Sequence, residues 1–186
     1  PEYLDFLSGR VFDTDICAQL PHAALRVYVM GERGANREEA TPEDISQMRA
    51  LAKEAVLAGA FGFSTSRTLN HRTSDGQPTP TLTASEAELL GIAQGLADAG
   101  TGVLQFVSDF HDMDELAAML RRIVEASGRP LSVSLAQADV APDEWKTLLG
   151  AIETAAAEHL PMRVQVAPRP VGVLLGLELT VNPFSA

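Results

Sequence analysis

The chain has 186 residues, of which 46% are hydrophobic and 21% are charged, and its formal net charge at pH 7 is −11. This composition is typical of one globular domain with a buried core. An acidic chain repels phosphate backbones, which argues against nucleic acid as a partner. The apolar runs fall short of the ~20 residues that a membrane span needs, which argues against a membrane partner.

The chain begins Pro1-Glu2-Tyr3 and shows no charged-then-apolar leader, so we expect no secretory signal and an internal piece of a longer protein. The single cysteine, Cys17, cannot form an internal disulfide, and this favours a reducing, cytoplasmic compartment. Cys17 lies in the mostly apolar run DICAQL. We therefore expect a buried structural thiol rather than a nucleophile.

Short apolar segments bounded by Gly, Pro or polar residues recur along the chain and predict β-strands. The predicted strands are 15–20, 61–65, 102–107, 130–135 and 162–166. Four predicted helices separate them, and each begins with a capping residue or a proline and ends at a glycine or before a proline. The predicted helices run from Thr41 to Gly59, from Thr83 to Gly100, from Asp112 to Gly128, and from Pro142 to the residue before Pro161.

Strands that alternate with helices predict βα units and a parallel sheet with right-handed crossovers. Two α/β folds fit, a doubly wound sheet or part of a (β/α)8 TIM barrel. The first predicted strand is not followed by a G-x-G-x-x-G turn, whereas polar residues follow every strand, and this favours the barrel. A whole barrel takes ~250 residues, so we expect residues 1–186 to be a single partial barrel domain.

Three segments carry a resemblance to a known family: PHAALRVYVMGERG, AGAFGFSTSRTLNHRT and VAPRPVGVLLGLELTVNPF. They resemble the amidohydrolase superfamily, and within it the N-acyl-D-amino-acid deacylase, or D-aminoacylase-like, branch. PHAALR is similar to that family's Gly-His-x-x-Leu-Arg segment. The resemblance implies a barrel enzyme that uses zinc or another divalent metal to hydrolyse the amide bond of an N-acyl amino acid. It places this chain at about the third to the seventh barrel strand.

The resemblance also implies where metal ligands belong. The family's His-x-His motif and catalytic aspartate lie on the first and eighth strands, outside this chain. Two further histidines end the fifth and sixth strands, where this sequence has Val107 and either Leu135 or Ala136. We therefore expect no metal in this chain and leave its catalytic residues unassigned. A one-metal site in the longer protein stays open.

Eight residues after the predicted strands are candidates for contacting a small-molecule substrate. They are His22, Ser64, Ser66, Arg67, His71, Arg72, Gln105 and Gln137. Hydroxyl and amide groups can hydrogen-bond a substrate carbonyl, two arginines can clamp a carboxylate, and a histidine can act as general acid or base. The loop after strand 61–65 exceeds the usual two to six residues of a βα loop, which supports a functional role.

Each candidate also has a structural interpretation. His22 can be a structural histidine bonded to backbone, the serines can satisfy their own loop, the arginines can pair with surface acids, and His71 can lie on the surface. Asp109 and Asp112 are more typical of helix caps than of catalysts.

Two functions from different classes follow. The first is a fragment of a metal-dependent amidohydrolase, and the second is a catalytically silent βα module with a binding or assembly role. Unpaired strand edges near Ile16 and Val164, interior side chains such as Val103 and Val133, and the apolar tail 171–179 predict a homo-oligomer in either case.

Overall fold

The computed structural model describes residues 2–109, 112–138, 141–169 and 176–177. Within these residues, five parallel strands form one sheet in the order β1-β2-β3-β4-β5. The strands are β1 Gln19–Pro21, β2 Gly62–Arg67, β3 Val103–Ser108, β4 Leu131–Ser134 and β5 Met162–Gln165. His111 and all but two residues of the tail 171–179 lie outside the described residues.

The sequential strand order decides between the two predicted folds. A doubly wound sheet reverses its strand order at one point, and this sheet does not. When every right-handed crossover moves to the next strand in the same direction, the helices fall on one face. Consistently, the helices that follow β1 to β4 pack against one another in chain order. The prediction of α/β units forming part of a (β/α)8 barrel is confirmed.

Seven helices lie in the described residues: α1 Glu2–Ser8, α2 His22–Met30, α3 Glu32–Ala35, α4 Pro42–Leu57, α5 Glu86–Ala99, α6 Met113–Ser127 and α7 Glu144–Ala157. The predicted caps Thr41 and Asp112 are confirmed, because their side chains accept from backbone N–H groups three residues on. None of these helices combines the length and the apolar character of a bilayer span.

The predicted cap of α5 is wrong by two residues. Ser85 caps this helix, and its hydroxyl accepts from the Glu88 backbone N–H. The Thr83 hydroxyl instead donates to the Arg37 carbonyl. Glu88 is therefore the third residue of the helix, and its side chain is buried.

The core lies between the helices and one face of the sheet. Side chains alternate between the faces of a strand, and the helix-side set on β2, β3 and β4 is Phe63, Leu104, Phe106, Leu131 and Val133, each at most 1% exposed. The expectation that Val133 faces the barrel interior is therefore wrong. The opposite face carries Ser64, Gln105 and Ser132 in one register row.

The start of the sheet differs from the prediction. The first strand covers only Gln19–Pro21, because it pairs with three residues of β2 and forms the sheet edge in the described residues. Cys17 lies before it and is exposed, so the expected buried thiol is wrong. α2, which begins directly after Pro21, was not predicted from the sequence pattern.

Candidate functional site

The polar end of β2 is divided between the two faces of the sheet. Ser64 and Ser66 lie on the barrel-interior face, where Ser64 pairs in register with Gln105 of β3. Thr65 and Arg67 alternate with them and lie on the helix side. Two cavities adjoin this end of β2: one of about 330 Å³ is lined by Ser64, Thr65 and Ser66, and one of about 570 Å³ is lined by Arg67.

The smaller cavity, here called the mouth cavity, opens at the carboxyl ends of β1, β2 and β3. Its lining includes Gln19, His22, Ser64, Ser66, His71 and Gln105. The Ser66 hydroxyl and the Nδ1 atom of His71 are 2.5 Å apart. The Gln105 side-chain amide also donates to the Gln165 amide oxygen at 3.3 Å. The cavity therefore offers neutral donors and acceptors beside one exposed imidazole.

The loop after β2 is tied down on both sides, and this holds His71 beside Ser66. The Asp109 carboxylate accepts from the Thr68 hydroxyl and from the Leu69 backbone N–H. The Thr81 hydroxyl donates to the Ser66 carbonyl at the other end of the loop. A short antiparallel bridge, Arg72 to Pro78, closes the tip. Asp109 therefore anchors the loop, a role that the sequence did not reveal.

A buried hydrogen-bonded network lies beneath the mouth cavity. His22 Nδ1 lies 2.8 Å from the Thr65 hydroxyl, and His22 Nε2 lies 2.8 Å from a Glu88 carboxylate oxygen. Arg26 donates to the other Glu88 oxygen at 2.6 Å. His22, Arg26 and Glu88 are each at most 1% exposed. His22 is thus held by side chains rather than by backbone. Glu88 was not identified from the sequence, because it lies 66 residues from its partner His22.

The charge state of His22 follows from this burial. Desolvation lowers the pKa of His22 below its ordinary value of 6.5 and outweighs the opposing effect of the hydrogen bond to Glu88. The ring is therefore neutral at pH 7 and carries one N–H. Because a carboxylate only accepts hydrogen bonds, Nε2–H donates to Glu88. Nδ1 then accepts from the Thr65 hydroxyl.

We expect His22 to make the free energy of unfolding decrease as the pH is lowered from 7. A folded-state pKa below 6.5 means that the unfolded chain binds this proton more readily, so the contribution is complete above pH 6.5 and is lost as pH falls through the folded-state pKa. The slope from His22 is at most ~1.4 kcal/mol per pH unit. Urea unfolding between pH 7 and pH 5 should show a smaller slope in His22→Gln than in the wild type.

The control for this experiment is His159→Asn. His159 lies at a left-handed backbone position that Asn tolerates, and its replacement should leave the slope unchanged. The carboxyls of Asp44 and Glu86, with lowered pKa values, titrate below their ordinary values of 3.8 and 4.5 and so outside this range. Equal slopes in His22→Gln and the wild type would contradict the assignment.

The remaining candidates do not converge on the mouth cavity. Arg67 lines the larger cavity, and its Nη1 lies 3.3 Å from the Met119 sulfur. Arg72 donates to the Gly76 carbonyl within its own loop at 3.0 Å. Gln137 donates to the Pro142 carbonyl at 3.1 Å. The predicted arginine clamp is therefore not assembled, and the two arginines have separate partners.

The described residues do not fit a metal ion. Ranges 2–109, 112–138 and 141–169 contain no group of three or more His, Cys, Asp or Glu side chains that could hold one. Val107 lies on the interior face, in register with Ser66. At the carboxyl end of β4 the last interior residue is Ser134, which pairs with Gln165, while Leu135 is buried. Neutral side chains thus occupy the ends of these strands.

Comparison with known proteins gives one family and one set of solved structures. Residues 1–186 match the amidohydrolase family. Three solved structures of D-aminoacylase are 27% identical to the chain at a TM-score of 0.58 and match 80% of it. The first is a D-aminoacylase mutant in complex with copper chloride. The second addresses the enzyme's binuclear metal centre, with one-metal activation and second-metal attenuation. The third is described as defining a novel subset of amidohydrolases.

The match covers 29% of each D-aminoacylase chain, so this chain spans less than a third of their length. A comparison with curated proteins gives no match.

Proposed function

Since the chain belongs to the amidohydrolase family, we propose that it is one partial barrel domain of a longer hydrolase that cleaves the amide bond of N-acyl amino acids. The similarity to D-aminoacylase supports N-acyl-D-amino acids as the substrate class. The observation that carries the proposal is the mouth cavity with its Ser66–His71 contact, because active sites of (β/α)8 barrels lie at the carboxyl ends of the strands.

The proposed role of this chain is to bind and orient the substrate. A cavity of about 330 Å³ is within the range of small-molecule sites. Ser64 and Gln105 offer neutral donors and acceptors for the amide group of the substrate. His71, held by Ser66, is placed to hydrogen-bond the substrate carboxylate or to move a proton. His22 and its network fix Thr65 of β2 and thereby the interior position of its neighbours.

The metal belongs to the proposal for the longer protein. When bound, a divalent metal would supply Lewis-acid activation of a carbonyl or of water, and zinc is the identity that we propose. Its ligands would come from residues outside the described ranges, because the described side chains do not form a metal site. A cytoplasmic location and self-association through the open edges at β1 and β5 also stay predictions.

The test is acyl release by the full-length protein. We expect hydrolysis of N-acetyl-D-amino acids in preference to their L forms. His71→Gln should lower kcat/KM by ~10- to 100-fold, the effect of losing a hydrogen bond to a charged group. Ser66→Ala should lower it less, because the imidazole remains. His159→Asn, at the far end of α7, is the matched histidine control and should leave kcat/KM unchanged.

The alternative is a catalytically silent module that binds but does not hydrolyse. The described part of the chain has no group of side chains that could hold a metal ion, and this observation favours the alternative. Calorimetric binding of N-acetyl-D-amino acids without turnover, with metal supplied, would support this alternative. Turnover that His71→Gln leaves unchanged would contradict the role of the mouth cavity.

A further inference from the structure

The interior face of the sheet carries one charged side chain in its five described strands. Side chains alternate between the two faces of a strand, and the strand register puts Arg163 of β5 in one interior row with Ser132 and Gln105. The other interior positions of these strands hold serine, glutamine, valine, proline or glycine. Arg163 is therefore the only cation that the strands place on this face, and they place no acid beside it.

Arg163 has no carboxylate partner within the described residues. Its side chain is exposed, and its only hydrogen bond there runs from Nη1 to the Met162 carbonyl at 2.7 Å. A guanidinium group has five N–H donors, so one contact with a neighbouring carbonyl leaves most of them free. The group is therefore available to a negatively charged ligand.

Interior side chains of β5 reach those of β3. The Gln105 side-chain amide donates to the Gln165 amide oxygen at 3.3 Å, although β4 lies between the two strands. The interior residues of β4 are Ser132 and Ser134, which are small enough to let the longer side chains meet above them. Arg163 is the interior residue of β5 that precedes Gln165, and Gln105 lines the mouth cavity. The arginine side chain is longer than that of glutamine, so it can approach a ligand in that cavity.

The proposed substrate needs such a cation. An N-acyl amino acid carries one carboxylate beside its amide group, and the mouth cavity offers the amide neutral partners such as Ser64 and Gln105. A guanidinium group matches the two oxygens of a carboxylate. We propose that Arg163 is a specificity-determining residue that binds the substrate carboxylate, an inference that rests on the proposed function. This assignment leaves His71 the second of its two proposed roles, which is to move a proton.

The test compares N-acetyl-D-alanine with N-acetyl-D-alaninamide, which lacks the negative charge, as substrates of the full-length protein. We expect Arg163→Met to lower kcat/KM for the acid by ~10- to 100-fold, the effect of losing a hydrogen bond to a charged group. The same variant should leave kcat/KM for the amide unchanged. Arg163→Lys keeps the charge but not the paired donors, so its loss for the acid should be intermediate. Arg10→Met removes an exposed arginine elsewhere and should leave both values unchanged.

The pair of compounds separates recognition of the carboxylate from a structural role. An arginine that only supports the fold would lower kcat/KM for the acid and the amide equally when replaced, and that result would overturn the proposal. If the wild type hydrolyses neither compound, the proposed function fails, and calorimetric binding of the same compounds tests Arg163 separately. The wild type should then bind the acid about tenfold more tightly than the amide, and Arg163→Met should bind both alike. No binding by the wild type, or a preference for the acid that survives in Arg163→Met, would overturn the proposal.

Discussion

Replacing Glu88 with leucine is expected to lower the free energy of unfolding by ~3–5 kcal/mol, the cost of breaking a buried ion pair from one side. Glu88 is fully buried and accepts from His22 at 2.8 Å and from Arg26 at 2.6 Å. Without it, the Arg26 guanidinium keeps its charge in an apolar environment. Urea unfolding at pH 7 measures the loss.

Two further variants make this experiment specific. Glu88→Gln keeps an acceptor for Arg26 but removes the charge, so we expect an intermediate loss of ~1–3 kcal/mol. Glu86→Leu, at the first position of the same helix, removes a partly exposed pair with Arg122 and should cost ~1 kcal/mol or less. Equal losses for Glu88→Leu and Glu86→Leu would show that the network does not carry the stability assigned to it.

Gly62→Ala is expected to be the most disruptive small substitution in the sheet. A Cβ atom at Gly62 would lie 2.0 Å from the Val103 carbonyl oxygen and 2.6 Å from the Val103 nitrogen. Both are backbone atoms of the paired strand, so no side chain can rotate to relieve the clash. β2 and β3 would have to separate, and we expect a loss of ~4 kcal/mol or more in urea unfolding.

Gly150→Ala is the matched control. Gly150 lies inside α7, and nothing approaches the position of its Cβ within 4 Å. Alanine should therefore stabilise this helix by ~0.5–1 kcal/mol. An equally mild effect of Gly62→Ala would contradict the close approach of β2 to β3.

Local signals predicted much of the fold. Thr41 and Asp112 cap helices through bonds to residues three positions away, which a sequence shows directly. The alternation of strands and helices likewise predicted the parallel sheet. α2 escaped prediction because it has no side-chain cap and follows the strand without a linker. The cap of α5 was misplaced because Thr83 has a distant partner in Arg37.

The site was only partly predictable, because it depends on strand register and distant contacts. Ser66 and Arg67 are adjacent in sequence, yet pairing with β3 puts them on opposite faces of the sheet and in different cavities. The Glu88 network joins residues more than 60 positions apart. Neither feature leaves a local pattern. The contact of Ser66 with His71 depends in turn on the loop anchors Asp109 and Thr81.

The most direct test of the central claim is a crystal structure of the full-length protein with an N-acetyl-D-amino acid bound. We predict that the ligand lies on the interior face of the sheet, with polar atoms within hydrogen-bond distance of His71 and of Ser64 or Gln105. A ligand bound away from the carboxyl ends of β1, β2 and β3, or one that contacts none of these side chains, would contradict it.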